Sequence, residues 1–561
     1  MAKLPRKEMT TKRARRKTAL GSKINLAALA LAIGTQAVAS AASAQGVGQS
    51  GTREAPFNNQ PTRLFNFETA NVLPKGTLVL NVGTSQTDPS KGTGTGNQVY
   101  FGGGSYAVSD RLSFGIDFQS YRDPVFDPIN GANPNFFLND LAIWGKYQFI
   151  NTGRWQVAAL ASVEQFVEFD ADLWGGVQSG VMAGSLKIPV TFTASERLQF
   201  HVTPSVSVFP DTVGGAAFYG TVGSIGAGIS YKPSERLAFY GAVDVAVSGG
   251  NTISNTAAFV QQPVWTVGGR YNVTPKIALD AFLTNGVGVT SATSNWTHWP
   301  DGDDLLAGLQ LSWTPGARID DSYRGMAEPV TARDVSLQQE GVTLETPNTL
   351  EPGVFAVRGW YGQNDAYGIG FAVSPDRDGE IDFVYEQYSN DGSVPASLIP
   401  KTQERYMIGP KLRFMDQNNG DPFSFAGRML YGRHIEAGKG GVGVFYISTP
   451  ASYDVNDTVT LTANPQIAAF GNTEVAGLGL GVNFELFNGF EVIAEATAVG
   501  LDATDPTWAA GVRYNLPNTG LSVDLSATNA IGRNGIGTMI AQDSTNFSLQ
   551  LTKAFDLSGW R

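Results

Sequence analysis

Stretches of about ten residues that alternate apolar with small or polar side chains recur along this chain from Leu73 to Phe555. TLVLNVGTSQ (Thr77 to Gln86), RLSFGIDFQSY (Arg111 to Tyr121) and SLKIPVTFTAS (Ser185 to Ser195) are examples. A period of two places every second side chain on one face of a strand. About ten residues is also the length a tilted strand needs to cross a bilayer. Roughly twelve such segments lie between Leu73 and Pro315, and roughly twelve more between Leu350 and Phe555. Beyond the first forty residues no apolar run is long enough for a transmembrane helix.

The connections carry independent information. In the first half short SD (Ser109-Asp110), NTGR from Asn151, SER from Ser195 and KPSER from Lys232 alternate with longer loops such as DPVFDPINGANPNFF and FDADLWGGVQSGVMAG. Short turns on one side and long loops on the other fit a barrel with its turns in the periplasm and its loops outside. A soluble sandwich has no reason to sort its loop lengths this way.

The first residues carry Lys12, Arg13, Arg15, Arg16 and Lys17, then an apolar stretch from Leu26 to Ile33, then small residues ending Ala42-Ser43-Ala44. That is the pattern of a secretory signal, assigned to residues 1–44. Its removal takes nine Lys/Arg and one Glu away and moves the formal charge from −11 to −19. An acidic exported chain is a poor partner for nucleic acid. With no cysteine, disulfides and thiol chemistry are excluded.

Taken together, these features resemble the general class of Gram-negative outer-membrane β-barrels. The resemblance implies fold, location in the outer membrane, and outer-membrane lipid and the barrel-assembly machinery as partners, but no substrate. Phe555 ends the last strand and Trp560 is next to last; the class usually ends on an aromatic residue that the assembly machinery reads.

The chain is also written twice. PVWTVGGRYN (Pro263 to Asn272) returns as PTWAAGVRYN (Pro506 to Asn515), and each copy is followed by D-x-x-x-T-N. AVSDRLSFGIDF (Ala107 to Phe118) aligns without gaps on AVSPDRDGEIDF (Ala372 to Phe383), and LQLS at Leu309 matches LQLT at Leu549. Order is preserved, so a whole domain has been duplicated. The expected organisation is an N-terminal periplasmic segment (45–72), a first β-barrel repeat (73–315), a periplasmic linker with a short helix (316–352) and a second repeat (353–561). Two barrels of about twelve strands are favoured over one of twenty-four, which would be wider than open porins and need a plug. The spare linker length also suits a tether between closed bodies.

Alternation sends Arg270 and Asp280 to one face, directly opposite each other across a hairpin, and does the same for Arg513 and Asp524. An Arg on the lipid face at mid-bilayer costs about 2–4 kcal/mol, so these charges are expected in the lumen. The same parity sends Asp117 and Lys146, with their counterparts Asp382 and Lys411, inside. Such groups either fill the barrel and fix its register or form a constriction that sorts charged solutes.

Three functional readings follow. One is a porin-like channel or transporter for small solutes. Another is a structural or export-assisting barrel pair with filled lumens that works through its periplasmic linker, resembling in outline the two-barrel proteins found with exopolysaccharide secretion, with polysaccharide as a partner. The third is a surface adhesin. His201 shares a strand face with Ser205 and Ser207, but no acid in register completes a hydrolase and no G-x-S-x-G occurs. The chain is therefore not read as an enzyme, and no cofactor or metal is called for. GTGTG (Gly92 to Gly96) is read as loop composition, and SNWTHWPDGDD (Ser294 to Asp304) as an exposed, solvated outer loop.

Overall fold

A computed structural model describes residues 57, 59–86, 98–122, 127–315, 330–395, 398, 404–434, 443–470 and 473–557. The signal sequence, the Gly92–Gly96 run and Trp560 lie outside the described residues.

Strands from Leu78–Gln86 through Leu306–Trp313 pair in sequence order, and the last pairs with the first, Trp313 opposite Leu80 and Leu309 opposite Thr84. From Val354–Gly362 through Ala541–Asp556 a second sheet does the same, with Phe355 opposite Phe555. Each repeat is therefore a closed antiparallel barrel of twelve staves. Closure removes all free edges, the condition for a sheet in a membrane. The single twenty-four-strand sheet does not form. The two barrels touch through a small apolar contact that includes Ile277 and Trp313 of the first and Leu412 of the second.

The sixth stave of each barrel is broken at the same place. Val181–Lys187 and Val190–Ser195 are interrupted at Ile188-Pro189, and Gly443–Ser448 and Ala451–Asn456 at Thr449-Pro450. Proline has no N–H to give to the ladder. Both breaks are mended alike. Ile188 N donates to Pro204 O at 3.0 Å and Thr449 N to Pro465 O at 2.9 Å, while Pro189 O and Pro450 O accept from Ala158 N and Ala426 N, each at 3.0 Å.

Burial is inside out, as alternation requires. In Leu198–Val208 the side chains of Phe200, Val202, Val206 and Val208 are exposed while His201, Thr203, Ser205 and Ser207 are buried. Exposed Val, Leu, Ile and Phe continue around both barrels, including Ile225, Phe239, Val267, Leu283 and Leu309 in the first and Leu461, Leu480, Leu525 and Leu551 in the second. Apolar surface of that extent belongs in hydrocarbon, not water.

The repeated sentence marks a hairpin anchor. In the first copy Asn285 accepts from Trp265 N (2.8 Å) and donates to Pro263 O (2.9 Å), and Thr284 donates to Trp265 O (2.7 Å). In the second, Asn529 accepts from Trp508 N (2.7 Å) and donates to Pro506 O (3.1 Å), and Thr528 donates to Trp508 O (2.6 Å). A Thr-Asn pair thus replaces the last rungs of the ladder where the following loop leaves the wall and turns inward.

Candidate functional site: the filled lumens

All eight lumen charges expected from alternation point inward, and the two hairpin pairs form as the register required. Arg270 Nε donates to Asp280 Oδ1 at 3.0 Å and Nη2 to Oδ2 at 3.0 Å. Arg513 Nε donates to Asp524 Oδ1 at 2.9 Å and Nη2 to Oδ2 at 2.7 Å. Such forked geometry is the strong form of a charged hydrogen bond.

The other four meet partners that the strand pattern did not reveal. Lys146 Nζ lies 2.7 Å from Glu68, and Asp117 lies 3.1 Å from Arg63 Nη1. Lys411 Nζ lies 2.7 Å from Glu340 and 3.3 Å from Glu380. Asp382 is held by Arg358 at 3.1 Å and by Arg428 at 2.9 Å. Arg63 and Glu68 belong to the segment expected in the periplasm, and Glu340 to the expected periplasmic linker. Both expectations are corrected: the described part of each segment lies inside its own barrel. The reason is charge. A lumen wall carrying buried ions needs counterions in register, and these two segments supply them.

The two inserted segments are copies of one finger. Phe67-Glu68-Thr69-Ala70-Asn71-Val72-Leu73 and Leu344-Glu345-Thr346-Pro347-Asn348-Thr349-Leu350 share E-T-x-N-x-L at a constant offset of 277, which also superposes Gly76 on Gly353. Thr69 Oγ1 and Asn71 Nδ2 both donate to Pro61 O at 3.0 Å, and Thr346 Oγ1 and Asn348 Nδ2 both donate to Leu337 O, at 3.2 and 3.3 Å. One threonine and one asparagine clasp an upstream carbonyl and close each finger into a loop. The helix before the second clasp, Ala332–Leu337, is capped by Thr331, whose hydroxyl accepts from Asp334 N.

Each finger rests on a glycine seat in the eighth stave. Phe67 lies over Gly226 and Gly228 in Thr221–Tyr231, and Leu344 over Gly479 and Gly481 in Thr473–Phe487. A Cβ at Gly226 would come within 2.3 Å of the Phe67 ring, and one at Gly479 within 2.3 Å of Leu344 Cδ2. Gly226→Val and Gly479→Val are therefore expected to leave the barrels closed and unseat the fingers. Trypsin should then cut the folded variants after Arg63 or Arg333 at least tenfold faster than the parent; equal resistance would mean that the seats are not what holds the fingers.

The second finger is also gripped from the wall. Glu495 accepts from Val342 N (2.8 Å), Thr343 N (2.6 Å), Leu344 N (3.1 Å) and Thr343 Oγ1 (2.8 Å). A carboxylate that takes several N–H donors from one loop is a small anion nest turned inside out, with the anion on the wall. Glu345 bonds Arg428 Nη1 at 2.7 Å and accepts from the Ser448 hydroxyl, and Arg513 donates to Glu340 O at 2.7 Å. The space left beside this finger, lined by Leu344, Asn483 and Glu495 among others, is about 20 Å³, the room of about one water.

From the opposite end each barrel is closed by the loop before its last strand. Ser294 to Asp304, expected to be a solvated outer loop, is packed into the first barrel: Trp296 and His298 have no exposure and Trp299 has 2%. Trp296 stacks on Tyr219 with centroids 4.4 Å apart, within a cluster of Phe136, Phe166, Phe169 and Trp174. The burial of about 150–250 Å² per aromatic ring drives this loop inward against the preference of its polar residues for water. Below it the Thr290 hydroxyl lies 2.7 Å from both Asp140 and Glu164, and Ala292 N donates to Glu164 at 2.6 Å. In the second barrel Ile536 and Met539 pack on Tyr388, Met407 and Tyr446, and Arg533 N donates to Glu386.

His201, the centre of the weak hydrolase echo, is held between hydroxyls, Thr191 at 2.9 Å and Ser230 at 3.1 Å. Ser205 bonds Ser224, and Ser207 donates to Ala292 O. Among the described residues no group of three or more His, Asp or Glu side chains converges as metal ligands would.

Two closed barrels with apolar outer faces, polar lumens and sorted loop lengths define an outer-membrane β-barrel protein. Solved structures to which the chain is similar include a KdgM porin (6% identity, 42% of this chain and 98% of that one, TM-score 0.28). Others are the siderophore receptor PirA from Pseudomonas aeruginosa (9%, 85% and 80%, TM-score 0.22) and a mutant Rh. blastica porin (14%, 68% and 93%, TM-score 0.20). No protein-family model and no curated protein matches the chain.

Proposed function

We propose that this protein is a gated channel or transporter for small solutes, shut at rest by its own fingers and inward loops. The observation that carries the reading is the double closure of each lumen, a finger from the turn side meeting a loop from the other. In the first barrel they touch directly, Arg63 Nη2 donating to Val289 O. An open passive porin has no use for a buried loop whose charges match its wall. The adhesin reading would use the long outer loops of the first half, and one of them, Ser294 to Asp304, folds inward and serves closure instead. A permanently filled barrel pair, serving structure or export, is the reading the test must separate.

The test is single-channel recording in planar bilayers. The parent protein is expected to be silent. A variant with both closures of the second barrel, Glu340–Thr346 and Gly532–Met539, replaced by Gly/Ser segments of equal length is expected to show unitary steps. A folded, heat-modifiable variant that stays silent would reject the channel reading and leave the filled scaffold.

A further inference from the structure

The two fingers are copies, yet they carry different charges, and the walls they touch differ in the complementary sense. At the offset of 277 that aligns them, Arg63 of the first finger corresponds to Glu340 of the second, while Glu68 corresponds to Glu345. The wall has changed in step. Lys146 stands opposite Leu160 in the register of the fourth and fifth staves, and its counterpart Lys411 stands opposite Arg428. In the first barrel the arginine that satisfies the inner aspartate comes from the finger, Arg63 to Asp117 at 3.1 Å. In the second the wall supplies it twice over, Arg428 at 2.9 Å and Arg358 at 3.1 Å from Asp382. An arginine has in effect moved from the finger to the wall, and a carboxylate has taken its place on the finger.

Packing alone does not require this exchange, since Leu160 fills the position in the first barrel with no exposure. What the exchange creates is a cationic cradle on the second wall. Lys411 Nζ, Arg428 Nη1 and the Ser448 hydroxyl form it and are met by two finger carboxylates, while the wall's own Asp382 takes Arg428 Nη2 at 2.9 Å and Glu380 lies 3.3 Å from Lys411. Glu345 reaches Arg428 Nη1 at 2.7 Å and Glu340 reaches the same nitrogen at 3.6 Å, while Glu340 also takes Lys411 at 2.7 Å. Lys411 and Arg428 are themselves fully buried. A forked guanidinium beside an ammonium and a hydroxyl is the donor set that recognises carboxylates.

Resting on the gated reading above, we infer that the second lumen binds a solute bearing two or more closely spaced carboxylates, and that Glu340 and Glu345 stand in for that solute while the gate is shut. The first lumen, whose finger offers one cation and one anion, lacks this preference. Withdrawal of the finger exchanges one pair of carboxylates for another. The wall's own Glu380 and Asp382 do not match the three cations Arg358, Lys411 and Arg428, and the solute makes up the missing negative charge when the finger leaves.

The experiment is calorimetric titration of citrate into the detergent-solubilised full chain. The parent is expected to bind citrate only at high concentration, where it displaces the finger. The variant with Glu340–Thr346 replaced by Gly/Ser is expected to bind citrate, and adding Arg428→Leu, the residue of the first barrel, should weaken binding at least tenfold; maltotriose, a neutral probe, should not bind. A free tricarboxylate and an oligo-uronate share this chemistry, and a parallel titration with an oligo-uronate shows which fits better. If the replaced variant does not fold, the parent itself reports: citrate at high concentration should compete with the finger and speed trypsin cleavage after Arg333. A folded variant that ignores citrate, or binds it equally well with Arg428→Leu, overturns the inference. Silence in the bilayer recordings instead overturns the gate, so the two failures are distinct.

Discussion

Asp524→Ala is expected to lower the stability of the second barrel by about 3–5 kcal/mol, the cost of leaving one member of a buried pair without its partner. Arg513 is 1% exposed and loses both arms of its fork, although it keeps the bond to Glu340 O. The double variant Arg513→Leu/Asp524→Leu should recover most of that loss, because a buried ion pair replaced by packed apolar groups is close to neutral. Asp280→Ala should cost less, since Arg270 retains 17% side-chain exposure and lies 5.6 Å from the Phe57 ring. Urea titrations followed by the loss of heat-modifiable migration measure all of these. If Asp524→Ala and Asp280→Ala prove equally mild, the pairs are hydrated and both lumens are wetter than their packing indicates.

The contrast shows what the sequence could disclose. Period-two alternation is a local property of each strand, so the strands, the inward charges and the pairings of Arg270 with Asp280 and Arg513 with Asp524 could be read from spacing and turn length alone. The occupant of the lumen could not. Residues 59–73 and 330–352 contain polar, apolar and charged residues without a period, and nothing local separates a segment in the periplasm from one inside a barrel. Their destination is set by partners far along the chain, such as Glu68 with Lys146 and Val342 with Glu495. A signal was nevertheless present. E-T-x-N-x-L recurs 277 residues apart, and a duplicated barrel that also duplicates the segment before its first strand has kept that segment for a reason. Ser294 to Asp304 misled for a related cause: its carboxylates and asparagine suggest solvent, but its two tryptophans find an aromatic cluster large enough to override them.

The finger also decides where the second barrel begins as a folding unit. Behind an export signal, a fragment starting at Gly316 is expected to fold to a heat-modifiable barrel that unfolds at the same urea concentration as that half of the intact chain. A fragment starting at Gly353 keeps all twelve staves and their ladder, including the closure of Val354–Gly362 on the last strand, so it too should close. It lacks Glu340 and Glu345 for Lys411 and Arg428, the N–H nest for Glu495 and the guanidinium of Arg333 for Glu491. Water entering the empty lumen solvates these groups and returns part of the loss, which leaves a deficit on the order of 5 kcal/mol. The shorter fragment should therefore unfold at clearly lower urea than the longer one. Equal midpoints would show that the finger is a passenger in the lumen, and failure of both fragments to fold would show that the second barrel needs the first, through the contact around Trp313 and Leu412.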